Sequence, residues 1–498
     1  MIFNSYEFLI FFPIVILLYY IVPMKYRYIW LLIASYYFYM CWNAKYALLL
    51  FISTFITYLS GILIGKIRRS EQEEEKKIKL MRLCVALSFI SNLSILAWFK
   101  YFNFIFENVQ KLVLKIGIEL ATPEFDIILP VGISFYTFQA LSYTMDIYRG
   151  EIYEEKNLLK YALFVSFFPQ LVAGPIERSK NLLKQVSVPQ KFNYEKCREG
   201  FLLMLWGFFM KLVISDRVAI VVNTVYNNYE QYPGLYLVIA TVLFAVQIYC
   251  DFGGYSTIAV GAAKFVGFDL MENFNCPYFS QSVSEFWRRW HISLSTWFRD
   301  YLYIPLGGNR KGKVRKWFNL IVVFVTSGLW HGAQWTFVVW GALNGVYQVL
   351  GELLKPIKER INKLFSLKPD SIGHKLMKVI ITFVLINISW IFFRANRFWD
   401  AIEIIKSIIT EHNWWILFDD SLFTLGLDWK NFLLMIFAIL VLIFADACKY
   451  KGIKIREIVL EQELWCRWTV YMAALFVILV FGIYGPGYDA SEFIYFQF

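Results

Sequence analysis

The sequence predicts an all-α polytopic membrane protein. Three observations carry that expectation. Of the 498 residues, 58% are hydrophobic and only 17% charged, whereas a soluble domain is about 45–50% apolar and roughly 25% charged. Apolar stretches recur along the whole chain, at about 8–22, 28–43, 46–65, 83–105, 127–146, 200–222, 235–250, 317–351, 376–393, 431–447 and 468–484. Each spanning helix needs roughly 20 such residues. Between them lie short basic or polar connections rather than soluble domains. A soluble enzyme, a disordered chain and a secreted disulfide scaffold are thereby excluded.

The first stretch, MIFNSYEFLIFFPIVILLYYIVP, lacks a basic leader and carries Glu7 early. It reads as a retained span, not a cleaved signal. Lys and Arg set the expected orientation. The segments at 66–82 and 355–375 are rich in both and are assigned to the cytoplasm, while 411–429 contains neither and is assigned outside. Counting between these anchors places the N-terminus outside. If 317–351 crosses twice there are about 12 spans, and the C-terminus is outside too; a re-entrant hairpin there leaves the parity unchanged. The net charge of +11 is assigned to this topology and to membrane lipid, not to nucleic acid. Seven Cys have no CxxC spacing and no clustered His, so neither a metal site nor a disulfide framework is expected.

One stretch does not fit a simple span. YALFVSFFPQLVAGPIERSK (161–180) is interrupted at Pro169, Gly174 and Pro175. A broken helix at membrane depth needs protein or a watery cavity around it, so this segment reads as re-entrant.

Four segments hold side chains that can do chemistry. The stretch 317–351 has no Asp, Glu, Lys or Arg but contains His331, between Trp330 and Gly332. It is too long for one span and barely long enough for two, so Gly328 and Gly332 mark a bend and put His331 near it. An imidazole in apolar surroundings is a candidate general base; the plain alternative is a structural histidine. The segment 282–317 is read as an interfacial helix capped by Ser284, with Trp287, Trp290, Leu294 and Trp297 on one side and Arg288, Arg289, Arg299 and Asp300 as polar positions. Its cations, including the run from Arg310 to Lys316, either anchor to anionic lipid or meet the phosphates of a donor. His291 lies on the same segment. Asp251 ends an apolar span beside Gly253 and Gly254; it can pair with an arginine inside the bundle, while the small residues allow close helix packing, the stronger reading here. The chain ends in SEFIYFQF, whose Tyr495 is the hydroxyl-bearing residue after Ser491. An aromatic interfacial anchor is the simplest reading of that tail.

These residues carry a resemblance. SEFWRRWHISLSTWFRDYLYIPLGG, followed by LWHGAQWTFVVWGALNG, resembles the membrane-bound O-acyltransferase (MBOAT) family, in its bacterial alginate O-acetylation and teichoic-acid D-alanylation branch. LPVGISFYTFQALSYTMDIYRG, FFPQLVAGPIER and YCDFGGYSTIA resemble the same branch, so the likeness covers most of the chain. It implies a ring of about 11–12 transmembrane helices, with re-entrant and interfacial helices, around a central tunnel in a bacterial inner (cytoplasmic) membrane. An acyl thioester enters from the cytoplasm and the acyl group leaves outside. His331 matches the family's invariant histidine, and His291 its second, less uniform polar position. In D-alanylation systems a separate single-span protein ends in Phe-x-Tyr-x-x-Phe, whose tyrosine carries the acyl group. Here Phe493, Tyr495 and Phe498 have that spacing after a last span. The resemblance therefore implies a catalytic membrane domain at 1–460, fused to a final helix and extracellular tail at 461–498.

The expected function is an O-acetyltransferase. Acetyl-CoA is its donor substrate with no bound cofactor, Arg288 and Arg289 meet the donor, and His331 and His291 are catalytic. Tyr495 is the acyl relay to a separate extracellular or periplasmic esterase-like acetyltransferase, which modifies a polysaccharide. D-alanyl transfer to teichoic acid from a carrier-protein thioester is the alternative within the family. A transporter would also explain broken helices and a buried histidine, without a covalent intermediate. A non-catalytic scaffold would be indifferent to His331→Ala.

Overall fold

A computed structural model describes residues 1–118, 129–364, 366, 368, 370–484 and 494. Among the described residues the chain is helical throughout, with no strand. Among these residues six helices are long and apolar enough to cross a membrane, or seven if the bent pair Trp335–Leu353 and Lys355–Leu364 is one span. The other expected spans are built from shorter pieces. The first is a helix of 16 residues, Tyr6–Ile21. The expected span at 200–222 is shared by Tyr194–Phe208, a π-helical turn at Phe209–Ser215, and Asp216–Asn227. The protein is a multi-pass membrane protein.

The chain divides into two compact units, Met1–Gly200 with Ala259–Met271, and Phe201–Ile258 with Glu272–Phe498. In the first, Tyr46–Arg68 packs on Ile133–Arg149 and on Glu74–Leu114. The last of these has 41 residues, about 60 Å at 1.5 Å per residue, so it overshoots the hydrocarbon core. Its polar start forms surface pairs, Lys77–Glu74 at 2.9 Å and Lys79–Glu75 at 2.6 Å. Small and hydroxyl residues let the helices approach: Ser53 donates to Asn92 at 2.5 Å, and a Cβ on Gly61 would meet the Tyr143 ring at 2.7 Å.

The interrupted segment is a broken helix buried in protein. Asn157 caps Leu158–Ser166, the backbone turns at Phe167, and a short helix runs over Phe168–Leu171. Tyr161 through Ser179 are all buried. The backbone groups at the break find partners. The Phe164 carbonyl accepts from Gln139 Nε2 at 2.6 Å and Gln170 Nε2 at 2.9 Å, and Phe168 N donates to Ser35 Oγ at 3.1 Å. Beyond it, the buried Glu177 carboxylate accepts from Asn181 Nδ2 at 2.7 Å and Met271 N at 2.5 Å. This is how irregular backbone survives at membrane depth.

In the second unit the stretch 317–351 becomes a hairpin of two 19-residue helices, Lys313–His331 and Trp335–Leu353. Glycines zip the pair together. A Cβ on Gly328 would strike the Phe337 carbonyl, one on Gly341 the Phe324 carbonyl, and one on Gly345 would lie 3.2 Å from Ile321 Cα. At the open end Glu352 accepts from Lys316 at 2.8 Å and Trp317 Nε1 at 3.1 Å. Glycines also bring Tyr194–Phe208 against Leu235–Phe265: a Cβ on Gly207 would lie 2.7 Å from the Gly254 carbonyl. Close approach through small residues is the usual means of helix association where lipid removes the hydrophobic drive.

Candidate active site

The hairpin turn fixes His331. It is the last residue of its helix, and Gly332 leads the chain out in an extended conformation. A Cβ at Gly332 would run into the Phe337 ring, so the turn closes tightly over the histidine. His331 is 4% exposed. Its ring centroid lies 5.0 Å from Trp330, 5.0 Å from Trp340 and 5.5 Å from Phe393.

His291 arrives by a different route. The segment expected to be one interfacial helix is two, Val283–Arg289 and Ile292–Phe298. Its N-cap is Ser282, not Ser284: Ser282 Oγ accepts from Glu285 N at 3.1 Å, and Glu285 Oε2 accepts from Gln281 N at 2.9 Å. This is close to a capping box, with Glu285 accepting from the residue before the N-cap. Trp287, Trp290, Leu294 and Trp297 are all buried, so the aromatic side faces protein, not lipid. At the break His291 adopts φ 43° and ψ 54°. That left-handed region is strained for most residues and more accessible to His, Asn and Asp. Asn273 pins the turn. Its Oδ1 accepts from Ser293 N at 3.1 Å and Ser293 Oγ at 2.7 Å, and its carbonyl accepts from Ile292 N at 3.0 Å. His291 is fully buried, and burial pushes its pKa down to about 3, so the ring is neutral.

The two histidines meet, their ring centroids 6.2 Å apart. Trp330 touches both, at 5.0 Å from His331 and 5.8 Å from His291. Phe252 stands edge-on to His291 at 4.7 Å. Behind them a tryptophan cluster fixes the wall: Trp340 stacks on Trp390 at 5.8 Å, Trp290 lies 5.3 Å from Trp390, and Trp287 Nε1 donates to Asn344 Oδ1 at 3.1 Å. An imidazole placed beside a reacting hydroxyl can take its proton.

The arginines are placed differently. Arg288 is exposed. Arg289 bonds Glu285 at 2.9 Å and the Asn275 carbonyl at 3.2 Å, and lies over the Tyr450 ring at 5.2 Å; its contacts are not with the histidines. Arg310, Lys311, Lys313 and Arg315 are exposed. Tyr495 lies outside the described residues, but its neighbour Ile494 is placed. Asp251 is buried, as its position in the sequence suggests, yet its partner is a lysine and not an arginine: Lys211 Nζ lies 2.6 Å from Asp251 and 2.8 Å from Asp216. The signal for Lys211 was a lone cation within the apolar run FLLMLWGFFMKLVIS, the kind of intramembrane charge that needs a counter-ion. Asn273 gave no sequence signal, because its role depends on a turn that exists only after folding.

A histidine pair buried in the aromatic core of a multi-pass membrane protein fits a class, the membrane enzymes that hold an ionisable side chain inside a helical bundle. The comparison of sequences narrows the class: the profile of MBOAT, the membrane-bound O-acyltransferase family, matches residues 26–394, a span containing both histidines, and the chain belongs to that family. It is an O-acyltransferase. It is 37% identical to a probable alginate O-acetylase of Azotobacter vinelandii, over 80% of this chain and 76% of the relative. It is 34% identical to a peptidoglycan O-acetyltransferase of Helicobacter pylori, over 76% and 73%. Similarity to a teichoic acid D-alanyltransferase of Bacillus subtilis is lower, 26% over 55% of this chain and 71% of the relative.

Proposed function

We propose that the chain moves an acetyl group from cytoplasmic acetyl-CoA, across the bacterial inner membrane, to a cell-surface or secreted polysaccharide. The observation that carries this reading is the buried His291–His331 pair, with ring centroids 6.2 Å apart. Higher identity to O-acetylating relatives than to the D-alanyltransferase favours acetyl over D-alanyl. Residues 1–460 form the catalytic part, and 461–498 add the last span and tail. Both termini face outside, by the basic segments at 66–82 and 355–375.

In the proposed reaction the phosphates of the donor meet Arg288, with Arg289 beside it, and the exposed run from Arg310 to Arg315. His331 accepts the Tyr495 hydroxyl proton. The phenolate oxygen bonds to the acetyl carbon, the carbon–sulfur bond breaks, and coenzyme A leaves as a thiolate that is then protonated. The reaction is acyl exchange and needs no oxidant or bound cofactor. A phenol, pKa about 10, gives up its proton more readily than a sugar hydroxyl. A separate esterase-like transferase outside the membrane would take the acetyl from Tyr495 to the glycan. His291, neutral and in contact with Trp330, steadies the dry surroundings of His331.

The test is mass spectrometry of the C-terminal peptide after incubation with isotope-labelled acetyl-CoA, beside His331→Ala. Label on Tyr495 that disappears in the variant is expected. Donor hydrolysis without that label would remove the relay and keep the acetyltransferase. An intact donor in both samples would turn the assay to an aminoacyl carrier donor.

A further inference from the structure

The last helix, Leu464–Phe481, is followed by a backbone bond from Ile483 N to the Leu212 carbonyl at 3.0 Å. Leu212 adjoins Lys211. The chain returns to the same place eleven residues later: Ile494, 2% exposed within the hydrophobic core, donates its N–H to Asp251 Oδ2 at 2.7 Å. The other Asp251 oxygen is 2.6 Å from Lys211. Lys211, Asp216 and Asp251 have side chains 3%, 7% and 1% exposed, so this trio is dry. Burying such charges is expensive and is weak evidence for stability alone. A carboxylate oxygen accepts strongly from a backbone N–H. Asp251 adjoins Phe252, whose ring packs against His291. The residue after Ile494 is Tyr495.

We propose that the buried Lys211–Asp251 ion pair is a clasp for the C-terminal tail, with Asp251 the positioning residue that brings Tyr495 to the histidine pair. Lys211 orients the carboxylate, one oxygen of which stays directed at the Ile494 amide. The functional half rests on the relay reading; the docking half does not.

The test is Asp251→Asn in the full-length protein in detergent micelles. Hydrogen–deuterium exchange of the C-terminal peptide should quicken at least tenfold while protection across Trp429–Tyr450 holds. Label on Tyr495 should fall at least tenfold through kcat, with KM for acetyl-CoA unchanged. Tail exchange equal to wild type would overturn the clasp. If Asp251→Asn does not fold, Ile494→Pro removes the donated N–H and leaves the trio intact. Faster exchange of the remaining tail amides then supports the clasp, and unchanged exchange overturns it. A wild-type protein without Tyr495 label whose tail is nonetheless released by Asp251→Asn would sink the relay and keep the clasp. Label in wild type with equal exchange in both proteins would do the reverse.

Discussion

His331 and His291 are neighbours held by opposite means. His331 sits at the end of a helix whose position is set by packing: Gly328 and Gly341 let two backbones touch, and Gly332 turns the chain beneath Phe337. His291 sits in a left-handed turn set by polar bonds from one side chain, Asn273. Steric fit tolerates no added atom, whereas a hydrogen-bonded turn can lose one bond and keep its shape. The two turns should therefore fail differently.

The largest effect is expected at the packed turn. Gly328→Leu inserts a side chain where even a Cβ meets the Phe337 carbonyl. Overpacking costs about 1–3 kcal/mol, and the hairpin must open to accept it. A misplacement of about 1 Å can lower a rate about 100-fold, so acyl transfer should fall at least that far. Gly351→Ala on the same hairpin, where nothing lies within 4 Å of the added carbon, should match or exceed wild-type thermal stability. Equal damage from both in a thermal-shift and activity assay would refute the glycine zip.

A smaller loss is expected at the polar turn. Asn273→Ala leaves the buried Ser293 N–H and hydroxyl without their acceptor, at about 1–3 kcal/mol. Ser293→Ala removes the hydroxyl bond at 2.7 Å and keeps the backbone bond at 3.1 Å, so it should cost about 0.5–1.5 kcal/mol. Denaturant titration of the two single variants and the double variant measures their coupling. Strict additivity would show that Asn273 acts elsewhere.

The same contrast explains what was legible in the sequence. Helix content followed from hydropathy, and His331 could be placed at a bend because Gly328, Gly332 and the length of 317–351 are local facts. The Ser282–Glu285 cap was legible too, as Ser-x-x-Glu, but a second serine two residues on competed for it. What stayed hidden was long-range pairing. Asp251 and Lys211 are 40 residues apart, and nothing in either segment points to the other. The aromatic stripe of 282–297 fits an interfacial helix because periodicity shows which residues share a side, not what covers it. Hydropathy likewise marked stretches and not crossings, so a span expected at 200–222 in fact passes through a π-helical turn.

The smallest effect distinguishes the turns by pH. The fully buried His291 ring is held neutral, its pKa lowered by burial from the ordinary 6.5 to about 3. The sign follows from linkage: below about 6.5 the unfolded chain binds a proton at this position and the folded chain does not. The contribution of His291 is therefore fully present above pH 6.5 and is lost progressively as pH falls toward 3. His291→Phe, apolar and aromatic like its Phe252 and Trp330 neighbours, cannot titrate. Thermal midpoints measured from pH 7.5 to 4.5 should decline less steeply in this variant than in wild type, even if the larger ring lowers them at every pH. Parallel curves would mean that the turn opens to water before the fold is lost. The polar bonds of Asn273 would then hold the backbone of His291 without keeping its ring dry, and packing alone would account for the shelter around His331.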